Sequence, residues 1–164
     1  MRTLQYGIVT LMGLALAGCV TTVSDQRVTP SQQRPAAAAA QVPLSGLDAQ
    51  ALELNECGLF LWSKTDTTKF IFFSKAMSGQ AVFKPDDETL QLEQVAAGGT
   101  IFGQFNTEQG YRASDGRVIE LAFEAGEPLI DGQRISDGLI TVTDAEGWRT
   151  VLPVLGIRAC VSGE

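Results

Sequence analysis

Short apolar segments separated by clusters of turn residues are the strongest structural signal in this chain. Within residues 117–124, Ile119, Leu121 and Phe123 alternate with polar or small residues. A period of two is typical of a β-strand with one buried face and one face in water. Segments of strand character lie at residues 57–64, 69–75, 80–84, 90–95, 100–105, 117–124, 138–144 and 148–161. Short strands at this spacing predict an all-β domain.

The segments between these strands have the composition of tight turns. Glycine supplies positive φ angles there, and aspartate caps its own backbone. The predicted turns lie at residues 65–68, 85–87, 97–99, 114–116, 126–128 and 145–147. We therefore expect a small antiparallel barrel of about eight strands, with a β-sandwich as the alternative.

Two segments depart from this pattern. Residues 47–54 (LDAQALEL) are the candidate for one short N-terminal helix, with Ser45 or Asp48 as its cap. Pro153 interrupts the last predicted strand, and proline has no N–H to donate to a sheet. The last strand is therefore expected to lie at an edge or to carry a bulge.

Residues 1–18 have the order of a secretory signal peptide. Arg2 is followed by an apolar core over residues 8–17, and small residues precede Cys19. The core is shorter than the roughly 20 apolar residues that span a bilayer. The LAGC stretch ending at Cys19 closely resembles a bacterial lipobox, which implies cleavage before Cys19 and acylation of that cysteine. The alternative is an ordinary signal peptide cut nearby, with Cys19 unmodified.

The residue after the lipobox and the segment that follows indicate where the protein resides. Lipoproteins kept in the inner membrane often have aspartate after the cysteine, and this chain has Val20. The resemblance therefore implies anchoring in the outer membrane, facing the periplasm. Residues 19–45 are rich in Thr, Gln, Pro and Ala, and this composition predicts a flexible tether about 25–30 Å long. Residues 46–164 remain as one β-rich domain.

Cys57 and Cys160 fall in the first and last predicted strands. Export would place both thiols where disulfides persist. A disulfide requires that the two strands be close neighbours, because Cα atoms more than about 7 Å apart cannot be bridged. We expect a structural disulfide, with a reactive or metal-binding pair as the alternative.

The chain contains no histidine, which removes the commonest general base and every Ser-His-Asp arrangement. Ser63-Lys64 and Ser74-Lys75 remain as formal Ser–Lys pairs, but adjacent residues on a strand point to opposite faces. No phosphate-binding loop or calcium loop is present in the sequence. We therefore expect no catalytic residues, no metal and no cofactor, with a histidine-free hydrolase as an alternative.

The candidate binding residues are Tyr111, Ser114, Arg117 and Trp148. Trp148 directly follows a Glu-Gly turn, which favours a position at the mouth of the barrel. The stretch from Tyr111 to Arg117 loosely resembles the Ser/Gly hairpin with a basic residue by which periplasmic inhibitors of c-type lysozyme block their target. Those inhibitors are small, often lipid-anchored eight-stranded barrels with a disulfide. The order of Tyr, Ser and Gly differs here.

The charge of the domain limits its partners. Residues 51–164 hold nine Lys and Arg against seventeen Asp and Glu, a net charge near −8. Such a surface disfavours nucleic acid and anionic lipid, and it would suit a basic envelope protein. We expect a membrane-anchored lipoprotein with a binding or envelope-structural role, and a lysozyme inhibitor as the alternative.

The lipobox generates a direct test of anchoring. Cys19→Ser should abolish acylation and release the protein from the membrane fraction, because no other residue in the motif can carry the acyl chains. Labelled palmitate and membrane fractionation measure both effects. Label in the Cys19→Ser protein, or unchanged membrane retention, would contradict the assignment.

Overall fold

The computed structural model describes residues 46–163, which form a closed antiparallel barrel of eight strands. Each strand pairs with the next along the chain, and the last pairs with the first. The strands are β1 (Cys57–Ser63), β2 (Phe70–Lys75), β3 (Gln80–Phe83), β4 (Leu90–Phe102), β5 (Phe105–Ala113), β6 (Val118–Leu129), β7 (Gly132–Thr143) and β8 (Arg149–Cys160). The predicted all-β barrel is confirmed.

Residues 1–45, with the predicted signal peptide, Cys19 and the tether, lie outside the described residues. Among residues 46–163 there is no helix that could cross a membrane.

The register between β1 and β8 closes the barrel. It runs without interruption from Cys57 opposite Cys160 to Ser63 opposite Val154. Cys57 and Cys160 form a disulfide with Cα atoms 4.0 Å apart. The predicted pairing of the first and last strands is therefore confirmed, and so is the disulfide between them.

The predicted helix at residues 47–54 is wrong. This stretch belongs to an irregular strap, residues 46–55, that lies on the outside of β1 and β2. The Leu47 N–H donates to the Phe70 carbonyl at 2.6 Å, and the Leu47 side chain is buried. Burial of apolar side chains against the sheet outweighs a helix propensity that is weak in so short a segment.

The strap explains why β1 and β2 are apolar on both faces. Leu59 and Leu61 point into the barrel, whereas Phe60 and Trp62 point outward. The outward rings form an aromatic cluster, with Phe60 4.9 Å from Phe73 and Trp62 5.1 Å from Phe70 between centroids. A Cβ on Gly58 would lie 3.0 Å from the strap's Leu52 side chain, so the strap packs closely there.

Two predicted turns lie inside long strands instead. Gly98-Gly99 sits within β4, where a register shift accommodates Gly99 at φ 72°, and the hairpin turns at Gly103-Gln104. The predicted strand at residues 100–105 therefore spans a turn, and β5 was not predicted. Likewise residues 126–128 lie in β6, and the chain turns at residues 130–131 before β7. Bulges absorb an irregular residue while the ladder continues.

Pro153 lies inside β8 and not at a sheet edge, because β8 pairs with both β7 and β1. It comes one residue beyond Val154, the last residue of β8 that pairs with β1. Its carbonyl accepts from the Lys64 N–H at 2.9 Å. Its missing N–H therefore lies just past the end of β1, so no hydrogen bond between paired residues of β1 and β8 is lost. The predicted edge position is wrong, and the alternative, a bulge, occurs nearby as a register shift in β7 between Ile135 and Gly138, opposite residues 154–156 of β8.

The barrel has two distinct ends. The cysteine end carries Cys57, Cys160 and the loops 76–79, 103–104 and 130–131, and the opposite end carries the loops 64–69, 84–89, 114–117 and 144–148. The interior between them is filled by buried apolar side chains. Those that are fully buried are Leu59, Leu61, Ile71, Phe72, Phe83, Ile119, Leu121, Ile135, Ile140 and Val154, together with Tyr111.

Candidate binding site at the cysteine end

The candidate binding residues do not form one surface. Tyr111 lies in β5 with its ring inside the barrel, where only 1% of the residue is exposed. Ser114 and Arg117 lie in the loop between β5 and β6 at the opposite end, and Trp148 lies in the loop between β7 and β8 at that same end. Tyr111 is therefore not part of an exposed hairpin with the other three.

Arg117 is occupied by two carboxylates. Its guanidinium forms ion pairs with Asp115 and with Glu88, the latter at 2.7 Å. These hydrogen bonds, that to Asp115 first, raise the pKa of Arg117, and those from Arg117 lower the pKa of Asp115. Arg117 thus joins the loop 114–117 to the loop 84–89. This link between the two loops is a structural role for the residue.

Trp148 is 76% exposed at the opposite end. Asp144 holds the turn that carries it, because its carboxylate accepts from the Trp148 N–H at 2.8 Å and from the Glu146 N–H at 3.1 Å. Gly147 supplies the positive φ of 88° that the turn needs. A role for Trp148 in binding stays a prediction.

A buried polar cluster lies inside the barrel towards the cysteine end. The Tyr111 hydroxyl donates to Gln109 Oε1 at 2.5 Å, and Gln109 Nε2 donates to the Asn106 carbonyl at 2.9 Å. Ser74 is 2% exposed, and its hydroxyl has no hydrogen-bond partner among the described residues. An unpaired buried hydroxyl costs free energy, so Ser74 is available to a group that enters the barrel.

A cavity of about 130 Å³ connects this cluster to the cysteine end. Its inner wall is formed by Ser74, Gln109 and Tyr111, and its mouth by Met77, Lys75 and uncharged polar residues. The uncharged polar residues of the mouth are Gln80, Gln94, Gln104 and Asn106. The volume holds only a few water molecules, since each occupies about 30 Å³ in the liquid, so it admits a small polar group.

Burial raises the pKa of Tyr111 to about 12. The neighbouring Ser74 hydroxyl counteracts part of this rise, although the two groups do not reach hydrogen-bond geometry. The Tyr111 phenol is therefore neutral at physiological pH and acts as a donor to Gln109. Among the described residues that line the cavity, Lys75 is the charged one, and it is paired with Glu56.

Exposed apolar side chains surround the cysteine end, one from each of its three loops or their flanks. Met77 is 95% exposed, Ile101 84% and Ile130 101%. Met77 also adopts a positive φ of 59°, which a side chain other than glycine rarely does. We call Met77, Ile101 and Ile130 the apolar rim. Large apolar side chains grouped on one end of a domain mark an interaction surface.

Charge separates the two ends. The loops of the opposite end hold seven carboxylates and four Lys or Arg, whereas the loops of the cysteine end hold one charged residue, Asp131. Charged residues are depleted from the centres of protein interfaces. The cysteine end is thus the less hydrated surface and the better suited to association.

Each formal Ser–Lys pair has its lysine engaged elsewhere. Lys75 Nζ lies 2.7 Å from Glu56, and Lys64 Nζ lies 3.1 Å from Asp137. A lysine must reach the serine hydroxyl to activate it, and each of these amines is instead held at a carboxylate. Within residues 46–163 no group of three or more His, Cys, Asp or Glu side chains is placed to hold a metal ion.

A larger depression of about 830 Å³ runs along the outside of β3, β4 and β5. Arg112 and Glu93 face each other across its strands, and Ser114 lies at its margin. It is open to solvent, and the polar side chains that line it are exposed or partly exposed. The smaller cavity is the better candidate, because it contains a buried group without a partner.

No protein-family model matches the chain, and no curated protein or solved structure is significantly similar to it.

Of the residues of this site, Tyr111 was a candidate from the sequence, whereas Ser74 and Gln109 were not proposed for binding. Ser74 follows the apolar run FIFF (residues 70–73), where a serine has the character of a polar strand end. Gln109 falls in the segment that was not assigned to a strand. Its alternation with Tyr111 across Gly110 was the available signal for an inward-facing pair.

Tyr111 allows a test by alkaline titration. Tyr6 lies in the predicted signal peptide, so Tyr111 is the one tyrosine of the expected mature chain. Its phenolate absorbance should appear with a midpoint near 12. Because the phenol is harder to ionise when folded, stability should be constant below about pH 10 and should fall by about 2–3 kcal/mol as the pH rises to 12.

The Tyr111→Phe variant is the matched control for this measurement. It should lose the alkaline decline in stability, and it should be less stable at neutral pH, because Gln109 Oε1 is left without its donor. A phenolate midpoint near 10 in the folded protein would contradict the buried placement of Tyr111.

Proposed function

We propose that this chain is a lipid-anchored lipoprotein of the bacterial cell envelope whose barrel binds a partner at its cysteine end, without catalysis. The observation that carries the proposal is the combination found at that end: a polar cavity with an unpartnered buried hydroxyl, lined by Met77 of the apolar rim, and the exposed Ile101 and Ile130 at the same end of the barrel. Interfaces commonly combine apolar contacts with a few placed polar groups that fix orientation.

The position of the strap is compatible with binding at the cysteine end. The described chain begins at Gly46, which lies against the backbone of Phe70 at the start of β2, near the opposite end. The predicted tether therefore joins the domain near the opposite end and not at the cysteine end. The acidic loops of the opposite end would not adsorb to anionic lipid.

The mode of binding follows from the size of the cavity. About 130 Å³ is well below the roughly 300–1,000 Å³ of pockets for whole small ligands. The cavity therefore takes one polar group of a larger partner, while Met77, Ile101 and Ile130 contact the surface around that group. An envelope protein or another large envelope component has the extent needed to contact both.

Inhibition of c-type lysozyme is the second candidate. The eight-stranded barrel with a disulfide is the architecture that the resemblance implies. Against it, Arg117 is paired with two carboxylates and Tyr111 is buried, so the stretch does not present its residues as one inhibitory hairpin. Unchanged activity of a c-type lysozyme with micromolar lipoprotein would remove this candidate.

Retention of partners from envelope extract tests the proposal. With the intact lipoprotein as bait, the double variant Ile101→Asp/Ile130→Asp should lose the partner that the natural chain retains, because a carboxylate is costly to bury in an apolar contact. Thermal unfolding should change little, since both side chains are exposed.

The matched control is Trp148→Asp, which places the same charge on an exposed apolar residue at the opposite end. This variant should retain the partner. Equal retention by the double variant and the natural chain, or loss caused by Trp148→Asp alone, would contradict binding at the cysteine end.

A further inference from the structure

Arg158 points into the barrel at the cysteine end. It lies on β8 directly opposite Leu59 on β1, and Leu59 is fully buried in the lumen. Residues opposite each other on neighbouring strands point to the same face. Ser74 on β2 is also opposite Leu59, so Ser74, Leu59 and Arg158 form one inward-facing row across three strands.

The guanidinium of Arg158 is held in place by its neighbours. It lies over the Phe102 ring, 5.6 Å from the centroid, and Nη1 donates to Gln104 Oε1 at 3.2 Å and to Cys160 Sγ at 3.4 Å. Gly103 makes room for it, because a Cβ there would lie 2.6 Å from Nη1. The cation is therefore positioned before any ligand binds.

What Arg158 lacks is an anion. Among residues 46–163 no carboxylate forms an ion pair with it, and its Nε is buried without a hydrogen-bond partner. By contrast, Lys75 at the same end is paired with Glu56, and Arg117 at the other end is paired twice. A partly buried cation without a counterion is costly, and the cost is recovered when an anion binds.

We infer that the cysteine end binds one carboxylate group beside the mouth of the cavity, with Arg158 as its principal donor. The planar guanidinium matches the two oxygens of a carboxylate better than any other side chain does. Gln104 supports this assignment, because its Oε1 is used by Arg158, which leaves the amide N–H groups of a residue that lines the cavity as further donors.

The cavity that Gln104 lines limits what accompanies the carboxylate. Ser74, Gln109 and Tyr111 offer neutral hydrogen-bonding groups there, so they favour a hydroxyl or amide next to the acid. Lys75 also lines the cavity, but its charge is paired with Glu56. The end of a peptide chain has this chemistry, with a terminal carboxylate beside a backbone amide. The inference rests on the proposed function and names the group that the cysteine end recognises.

Calorimetric titration of the full mature chain in detergent micelles tests the inference. The probes are acetyl-alanyl-alanine, the same peptide with a C-terminal amide, and acetate. The peptide acid should bind, and the peptide amide should bind at least about tenfold more weakly, because it lacks the charge-assisted pair. Acetate binding as tightly as the peptide acid would identify a small organic acid as the ligand and would still support the carboxylate site.

Three variants isolate the role of Arg158. Arg158→Gln should weaken binding of the peptide acid at least about tenfold, and Arg158→Lys should restore part of it through charge alone. Arg134→Gln removes an exposed arginine on the neighbouring strand β7 and should change nothing. If Arg158→Gln proves unfolded by circular dichroism, Gln104→Leu provides the second test and should also weaken binding.

Several results would overturn the carboxylate site. These are no binding of the peptide acid at about 1 mM, equal binding of the peptide amide, or full binding by Arg158→Gln. Retention of the envelope partner separates this failure from that of the proposed function. If Arg158→Gln keeps a partner that the rim double variant loses, the carboxylate inference falls and binding at the cysteine end stands.

Discussion

The pairing of β1 with β8 is the interaction on which the rest of this structure depends. These strands are the first and last of the barrel, and their cysteines are 103 residues apart in the chain. Closing a loop of that length with a disulfide stabilises a fold by about 4.7 kcal/mol in the chain-entropy model. The uninterrupted register from Cys57 to Ser63 aligns Ser74, Leu59 and Arg158 in one inward row. Without it the lumen would have an open side.

Closure also explains the difference between the two ends. At the cysteine end the disulfide fixes the strands next to Arg158, and short loops leave the mouth of the cavity open. At the opposite end longer acidic loops are tied together by ion pairs such as that of Arg117 with Glu88. The opposite end is therefore the more charged and hydrated surface, and the cysteine end is the one that we propose for binding. This asymmetry is the physical basis for assigning binding to the cysteine end.

The parts of the fold that follow from local pattern could be predicted from the sequence. The alternation around Leu121 and the aromatic runs of β1 and β2 identify strands, and the position of the two cysteines predicts closure. The failures came from long-range contacts. Gly98-Gly99 has the composition of a turn, but β5 continues to pair beyond the bulge. The strap is irregular and not helical because the outer faces of β1 and β2 bury Leu47 and partly cover Leu52, which the strap's own sequence does not indicate.

The binding site was harder to predict than the fold, because its residues become related only through register. Ser74, Gln109 and Arg158 lie on three strands and share no local motif. The exposed Trp148 and the loop with Ser114 had recognisable composition, yet that end is the charged one. Buried polar residues in a small barrel are therefore better evidence for a site than a conspicuous loop.

Native-state hydrogen exchange of the disulfide-bonded protein tests barrel closure most directly. The account predicts that amides of the β1–β8 ladder, such as those of Phe60 and Ile157, are protected as strongly as those of the β6–β7 ladder and exchange only with global unfolding. Removing both cysteines should lower that protection together with the free energy of unfolding. Rapid exchange along β1 and β8 while the disulfide is intact would contradict a closed barrel.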